Sequence, residues 1–352
     1  MSQHSNTTVR VGWRSPANIA LVKYWGKHGR QLPANPSISF TLSRAFTETL
    51  VEFSPKDHRD APILKSFTFA GAAHEAFARK MERLLESITD MVPFLEKYQL
   101  SISSDNSFPH SAGIASSASA MSALALCLVE GEYLLEGEAF DPERERNRIS
   151  EIARLCSGSA SRSVFPHLAV WGTHSDIEGS TDRYAIAFPY EVHPVFDRWK
   201  DDILLVSEEV KAVSSSAGHE LMNHHLYAPV RYDQARANIR DLSRALQEGD
   251  VERFGQIVEE EAMTLHGLMM NSRPSYMLLL PETVRIIHEL RRWRAETGYP
   301  VYFTLDAGPN VHLLYPQTHR EQVDNWMQEH LQVYLDKGRI LRDEVGEGPF
   351  RV

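Results

Sequence analysis

Along the first hundred residues, apolar and polar positions alternate in short runs that predict strands over residues 9–15, 37–43 ("SISFTLS"), 47–54 and 63–69 ("ILKSFTF"). A change of period over "AHEAFARKMERLLESI" predicts a helix whose apolar stripe is Ala76, Met81, Leu84, Leu85 and Ile88. "LSISSDNSF" reads as another strand, "PHSAGIASSASAMSALALCLVEGEYLL" as a loop of small residues entering a helix, and "PERERNRISEIARLC" as a helix with a charged face. Short strands follow at "HLAVWG" and "YAIAFPY". Prolines, aromatics and charges crowd together between Pro189 and Lys200, which predicts a linker there and two domains, 1–192 and 193–352. Beyond it lie a strand at "DILLVS", helices near 229–247, 251–270 and 282–296, a strand pair "VYFTLDAG" and "VHLLYP", and a last helix near 319–331. Strands and helices are mixed without regular βαβ alternation, so the expected class is α+β.

One stretch breaks the pattern. "ANIALVKYWGKHG", residues 17–29, begins as a buried strand, then places Lys23 and Lys27 around Tyr24, Trp25 and Gly26. Two cations and two large aromatics interrupting a core-forming segment need a reason that the local pattern does not supply.

Composition narrows the classes. The chain has 352 residues, 42% apolar and 24% charged, as a soluble globular protein does. A net charge of −10 argues against a nucleic-acid or membrane partner, while leaving room for a local cluster of cations. Two cysteines, Cys127 and Cys156, do not make a disulfide framework and suggest a reducing compartment. The N-terminus lacks an apolar signal core, and no apolar run is expected to reach membrane-spanning length, so the expected location is the cytoplasm.

The candidate chemistry sits in four loops. In "FPHSAGIASSASA", Pro109 and Gly113 punctuate a run of small residues before a helix, where free backbone N–H groups favour an anion. Ser116 or Ser117 can add a hydroxyl to a phosphate oxygen or to Mg²⁺; the competing reading is an ordinary serine-capped helix. Neither GxxxxGK[ST] nor GxGxxG is present. "SGSASRS" surrounds Arg162 with Ser157, Ser159, Ser161 and Ser163, either a solvated turn or a fork for carboxylate or phosphate. "KAVSSSAGHE" is a similar serine-rich segment. "TLDAGPNV" puts Asp306 at the end of a strand, where an acid is common before a turn and where a catalytic base would also fit. Sixteen histidines supply no HExxH or other metal-ligand spacing.

Taken in order, "NIALVKYWGK", "PxNxSISxTL" at Pro33 to Leu42, "FPHSAGIASSASA", "SGSASRS", "KAVSSSAG" and "TLDAGPNV" resemble the diphosphomevalonate decarboxylases of the GHMP kinase superfamily. The resemblance implies an N-terminal domain like the second domain of ribosomal protein S5, a ferredoxin-like C-terminal domain, and a substrate cleft between them. It implies ATP-dependent decarboxylation of mevalonate 5-diphosphate to isopentenyl diphosphate, with Mg²⁺ and often as a homodimer. The alternatives are a decarboxylase of the 5-monophosphate, a mevalonate 3-kinase, or a nucleotide-binding relative without chemistry. By the same resemblance, Asp306, Lys23 and Arg162 are catalytic. Tyr24, Lys27, Ser157 and Ser159 join Arg162 in binding substrate. Pro109, Ser111, Gly113, Ala115, Ser116, Ser117 and Ser215 bind ATP, with Ser117 on the metal. The chain departs from the family pattern at His110, Ser111, Cys156, Ser161 and His219, the last standing where methionine is common.

Overall fold

The computed structural model describes residues 8–109, 116–209 and 213–352. The first sheet is built on two long antiparallel strands, β1 (Val9–Val22) and β2 (Ser37–Pro55). Around them are β3 (Leu64–Phe69), β4 (Tyr98–Asn106), β5 (Leu168–Trp171) and β6 (Ala185–Ala187). β2 pairs with β5 through Ser37–Phe40 and with β4 through Thr47–Pro55, while β3 runs parallel to β4. The predicted break between residues 43 and 47 is therefore not a turn between two strands. It is a bulge in one strand, where the register against β1 slips between Pro16 and Asn18.

Three helices cover one face of this sheet: α1 (Glu75–Ser87), α2 (Ser116–Glu136) and α3 (Pro142–Cys156). Met81, Leu85 and Ile88 bury α1 as expected, but Ala76 is exposed and Phe77 packs in its place. α2 is apolar and long enough to cross a membrane, contrary to the expectation that no run reaches that length. Yet 67% of its apolar window is buried, packed between the sheet and α3. It is a core helix. α3 starts on Pro142 behind Asp141, whose carboxylate accepts from the Glu143 and Arg144 amides.

The second sheet is antiparallel, in the order β8 (Tyr302–Leu305), β9 (Val311–Pro316), β7 (Trp199–Leu204), β10 (Ile340–Glu344). Helices α4 (Ser215–Leu221), α5 (Ala228–Glu248), α6 (Val251–Met270), α7 (Pro281–Thr297) and α8 (Arg320–His330) accompany it. The β10 strand was not foreseen, nor was β11 (Phe350–Arg351), which leaves the second sheet and pairs with β1 at Trp13 and Arg14. A continuous apolar core joins the two units, with Ile19, Leu21 and Phe40 of the first packed with Trp199, Ile203 and Phe254 of the second.

Candidate active site

Where β1 runs out, its last residues turn into the space between the two units. The turn needs Gly26 at φ +100°. Lys23 is buried there, and its Nζ lies 3.4 Å from Oδ1 of Asp306, which follows β8 in the second unit. The Asp306 turn is itself pinned: Gly308 N–H donates to the Asp306 carbonyl at 2.7 Å. Asn310 Oδ1 accepts from the amides of Val206 and Ser207. Burial pushes the Lys23 ammonium down from its ordinary value, and the Asp306 carboxylate opposes that.

The pair lines a cavity of about 810 Å³, the size of a small-molecule site. Arg162 reaches the same wall from a 3₁₀ segment, Gly158–Val164, that follows α3. Its guanidinium is buried, donates to Ser39 Oγ at 3.0 Å and Asn18 Oδ1 at 3.2 Å, and keeps Nη1 without a partner among the described residues. Burial lowers it to about 10, so it stays cationic at neutral pH. Tyr24 packs between the tilted rings of Trp171 and His219, and burial raises its phenol so that it stays an O–H donor. That packing requires Gly158, because a Cβ there would come within 2.8 Å of the Tyr24 hydroxyl. Lys27 is partly buried, bonds Gln31 Oε1 at 2.9 Å, and is lowered by that burial. Ser157 Oγ donates to Ser117 Oγ at 3.4 Å across the cavity floor. Ser116, Ser159 and Ser215 also line the cavity. Pro109 is not among the described lining residues, and Ser111, Gly113 and Ala115 lie outside the described residues.

Sequence reasoning missed Lys80 and Arg83, which α1 contributes to the wall, and Asn18, which orients Arg162. Among the described lining residues five cations, Lys23, Lys27, Lys80, Arg83 and Arg162, face one carboxylate, Asp306. A chain that is acidic overall thus carries a site built for a polyanion. Toward α1 the cavity turns apolar, with Phe67, Phe69, Phe77 and Met121. His219 accepts the Gly26 N–H at its Nδ1 (3.0 Å), and burial holds it down at about 3, neutral at working pH.

A sheet carrying α1–α3, joined to a second α+β unit through a cation-rich cleft, defines the two-domain GHMP-kinase class. Residues 15–185 match the Diphosphomevalonate decarboxylase-like N-terminal domain, and residues 203–346 match the Mevalonate 5-diphosphate decarboxylase C-terminal domain. The chain belongs to the diphosphomevalonate decarboxylase family. It is 30% identical to the diphosphomevalonate decarboxylase ERG19 of Gibberella zeae over 89% of its own length and 83% of that protein. It is 27% identical to the phosphomevalonate decarboxylase of Haloferax volcanii, over 86% and 87%. Among solved structures, MDDEF in complex with MVAPP, AMPPCP and magnesium matches with a TM-score of 0.81 and 27% identity, covering 98% of this chain and 99% of that one.

Proposed function

We propose that the protein decarboxylates mevalonate 5-diphosphate at the expense of ATP, releasing ADP, phosphate, CO₂ and isopentenyl diphosphate. The observation that carries this reading is the meeting of Lys23 and Asp306, at 3.4 Å, in a cavity that also holds an arginine whose Nη1 has no partner among the described residues. A tertiary hydroxyl is a poor leaving group, and phosphorylation makes it a good one. Asp306 orients the 3-hydroxyl and takes its proton as the oxygen attacks the γ-phosphorus. Lys23, 3.4 Å from that carboxylate, balances the charge that develops as the phosphoryl group is transferred. The C3–O bond then breaks with its electron pair leaving on phosphate. The bond to the carboxylate supplies the alkene electrons, and CO₂ departs. Arg162 Nη1 suits the substrate carboxylate. Tyr24, Lys27, Ser157 and Ser159 suit its diphosphate.

Ser116, Ser117, Ser215 and the 109–115 segment are assigned to ATP, whose base suits the apolar recess at Phe67 and Phe77. No group of three His, Cys, Asp or Glu side chains that could hold a metal exists among the described residues. Ser117 Oγ, a hard oxygen donor on the cavity wall, would hold a magnesium ion together with the bound ATP, and the ion would supply charge neutralisation during phosphoryl transfer. The free thiols of Cys127 and Cys156 support a cytoplasmic setting. Exposed Leu226, Tyr227 and Val230 at the start of α5 support a homodimer, to be checked by light scattering.

The test is to follow ADP and CO₂ with mevalonate, its 5-phosphate and its 5-diphosphate as substrates. Coupled release with the diphosphate is expected. Release with the monophosphate alone would move the assignment to a phosphomevalonate decarboxylase, and ADP without CO₂ would make the protein a kinase.

A further inference from the structure

Lys23 stands one residue past the last paired position of β1, Val22 opposite Ile38, so its own peptide groups have no strand to bond. They are bonded from elsewhere. Its N–H donates to Oε2 of Glu261 at 2.8 Å, and its carbonyl accepts from Arg231 Nη2 at 3.0 Å and from Asn35 Nδ2 at 2.9 Å. Glu261 and Arg231 come from α6 and α5 of the second unit and are both fully buried. They bond each other through two contacts, Arg231 Nη1 to Glu261 Oε1 at 2.7 Å and Nη2 to Oε2, and Asn238 Nδ2 donates to Oε1 at 2.7 Å. A buried ion pair is weak evidence for stability, because desolvation offsets most of the attraction. This pair does something more specific: one member accepts the N–H and the other donates to the carbonyl of a single residue, the one whose ammonium meets Asp306, while Arg231 Nη1 also reaches Gln234 Oε1 at 3.3 Å.

We propose that Glu261 and Arg231 are positioning residues for the reaction, clamping the backbone of Lys23 from the opposite unit so that its ammonium is presented to Asp306. The inference rests on the decarboxylase reading for its kinetic form. Geometrically it makes the catalytic pair depend on the docking of the two units, since α5 and α6 belong with Asp306 and the clamped residue belongs with β1. The Glu261 carboxylate also helps keep Lys23 protonated against its burial.

The test uses the full chain carrying Glu261→Gln, the charge-balanced double variant Glu261→Gln/Arg231→Met, and Glu261→Asp as the conservative comparison. Folding is checked by circular dichroism and thermal melting. With ATP and mevalonate 5-diphosphate, Glu261→Gln is expected to lower kcat by about 10- to 100-fold with KM changed less than about threefold, the size of loss a misplaced reacting group causes. Its alkaline limb in the kcat–pH profile is expected at lower pH, because Lys23 has lost a stabilising anion. Glu261→Asp should recover part of kcat. Should the single variant fail to fold, the double variant, which leaves no buried charge unpaired, carries the test with the same loss in kcat. Folded variants with wild-type kcat and an unmoved alkaline limb overturn the proposal. If the wild type itself does not turn over mevalonate 5-diphosphate, the functional reading fails separately. Crystal structures of the variants still decide the clamp: an unchanged Lys23–Asp306 separation overturns it, and a lengthened one supports it.

Discussion

Arg162 is the residue whose chemistry is most exposed to a simple measurement. Its Nη1 has no partner among the described residues, and the proposed mechanism gives that bond to the substrate's carboxylate. A charge-assisted hydrogen bond contributes about 1.5–3 kcal/mol. Arg162→Gln is therefore expected to raise KM for mevalonate 5-diphosphate by roughly 10- to 100-fold in steady-state assays. An unchanged KM would remove the carboxylate from Arg162. His219 gives a pH prediction. Folded, it titrates at about 3 against an ordinary 6.5, with burial as the main cause and the charge of Lys27 second. The unfolded chain therefore takes up the proton first, and stability present above pH 6.5 is lost as pH falls toward 3. His219→Met should spare the protein on the order of 3 kcal/mol of that loss at pH 4, read from urea melts at pH 7 and pH 4. Equal pH dependence in both proteins would contradict it. Lys23, Arg162 and Asp306 were legible because they sit in compact motifs. Lys80, Arg83 and Glu261 were not, since each lies on a helix whose charges look solvated; Lys80 and Arg83 stay exposed where they line the cavity, while Glu261 is fully buried.

At the level of elements, the informative error is the bulge in β2. Ser43 and Arg44 interrupt the apolar alternation and look like a turn, yet their backbone is held in place from the other end of the chain. Asp343 of β10 accepts the amides of Ser43 (2.8 Å) and Arg44 (2.9 Å) on one oxygen, and that of Ala45 (2.7 Å) on the other. Local pattern cannot announce a partner 300 residues away. β10 and β11 escaped notice for a related reason: they are short and polar, and their pairing is decided by strands of distant origin. Asp343→Asn would turn a donor toward one of those amides. It should cost about 1–3 kcal/mol, seen as a lower urea midpoint with an unchanged slope. An unchanged midpoint would mean the bulge holds itself.

At the scale of the whole molecule, each sheet has its own apolar cluster and a further one is shared between them, and the chain's end returns to the first sheet through β11. That architecture brings together residues 283 positions apart, Lys23 from one unit and Asp306 from the other. The α+β class and the ordered motifs were readable in the sequence; the crossing of the C-terminus was not. The most direct measurement is a single-turnover experiment with ATP and mevalonate 5-diphosphate on the wild type and Asp306→Asn, quantifying ADP and CO₂ while binding of both substrates is followed by calorimetry. The wild type should release the two products in equal amounts. Asp306→Asn should bind both substrates with affinities within a few-fold of wild type and turn over about a thousandfold more slowly or less. A correctly folded Asp306→Asn protein with near-normal CO₂ release would contradict the assignment.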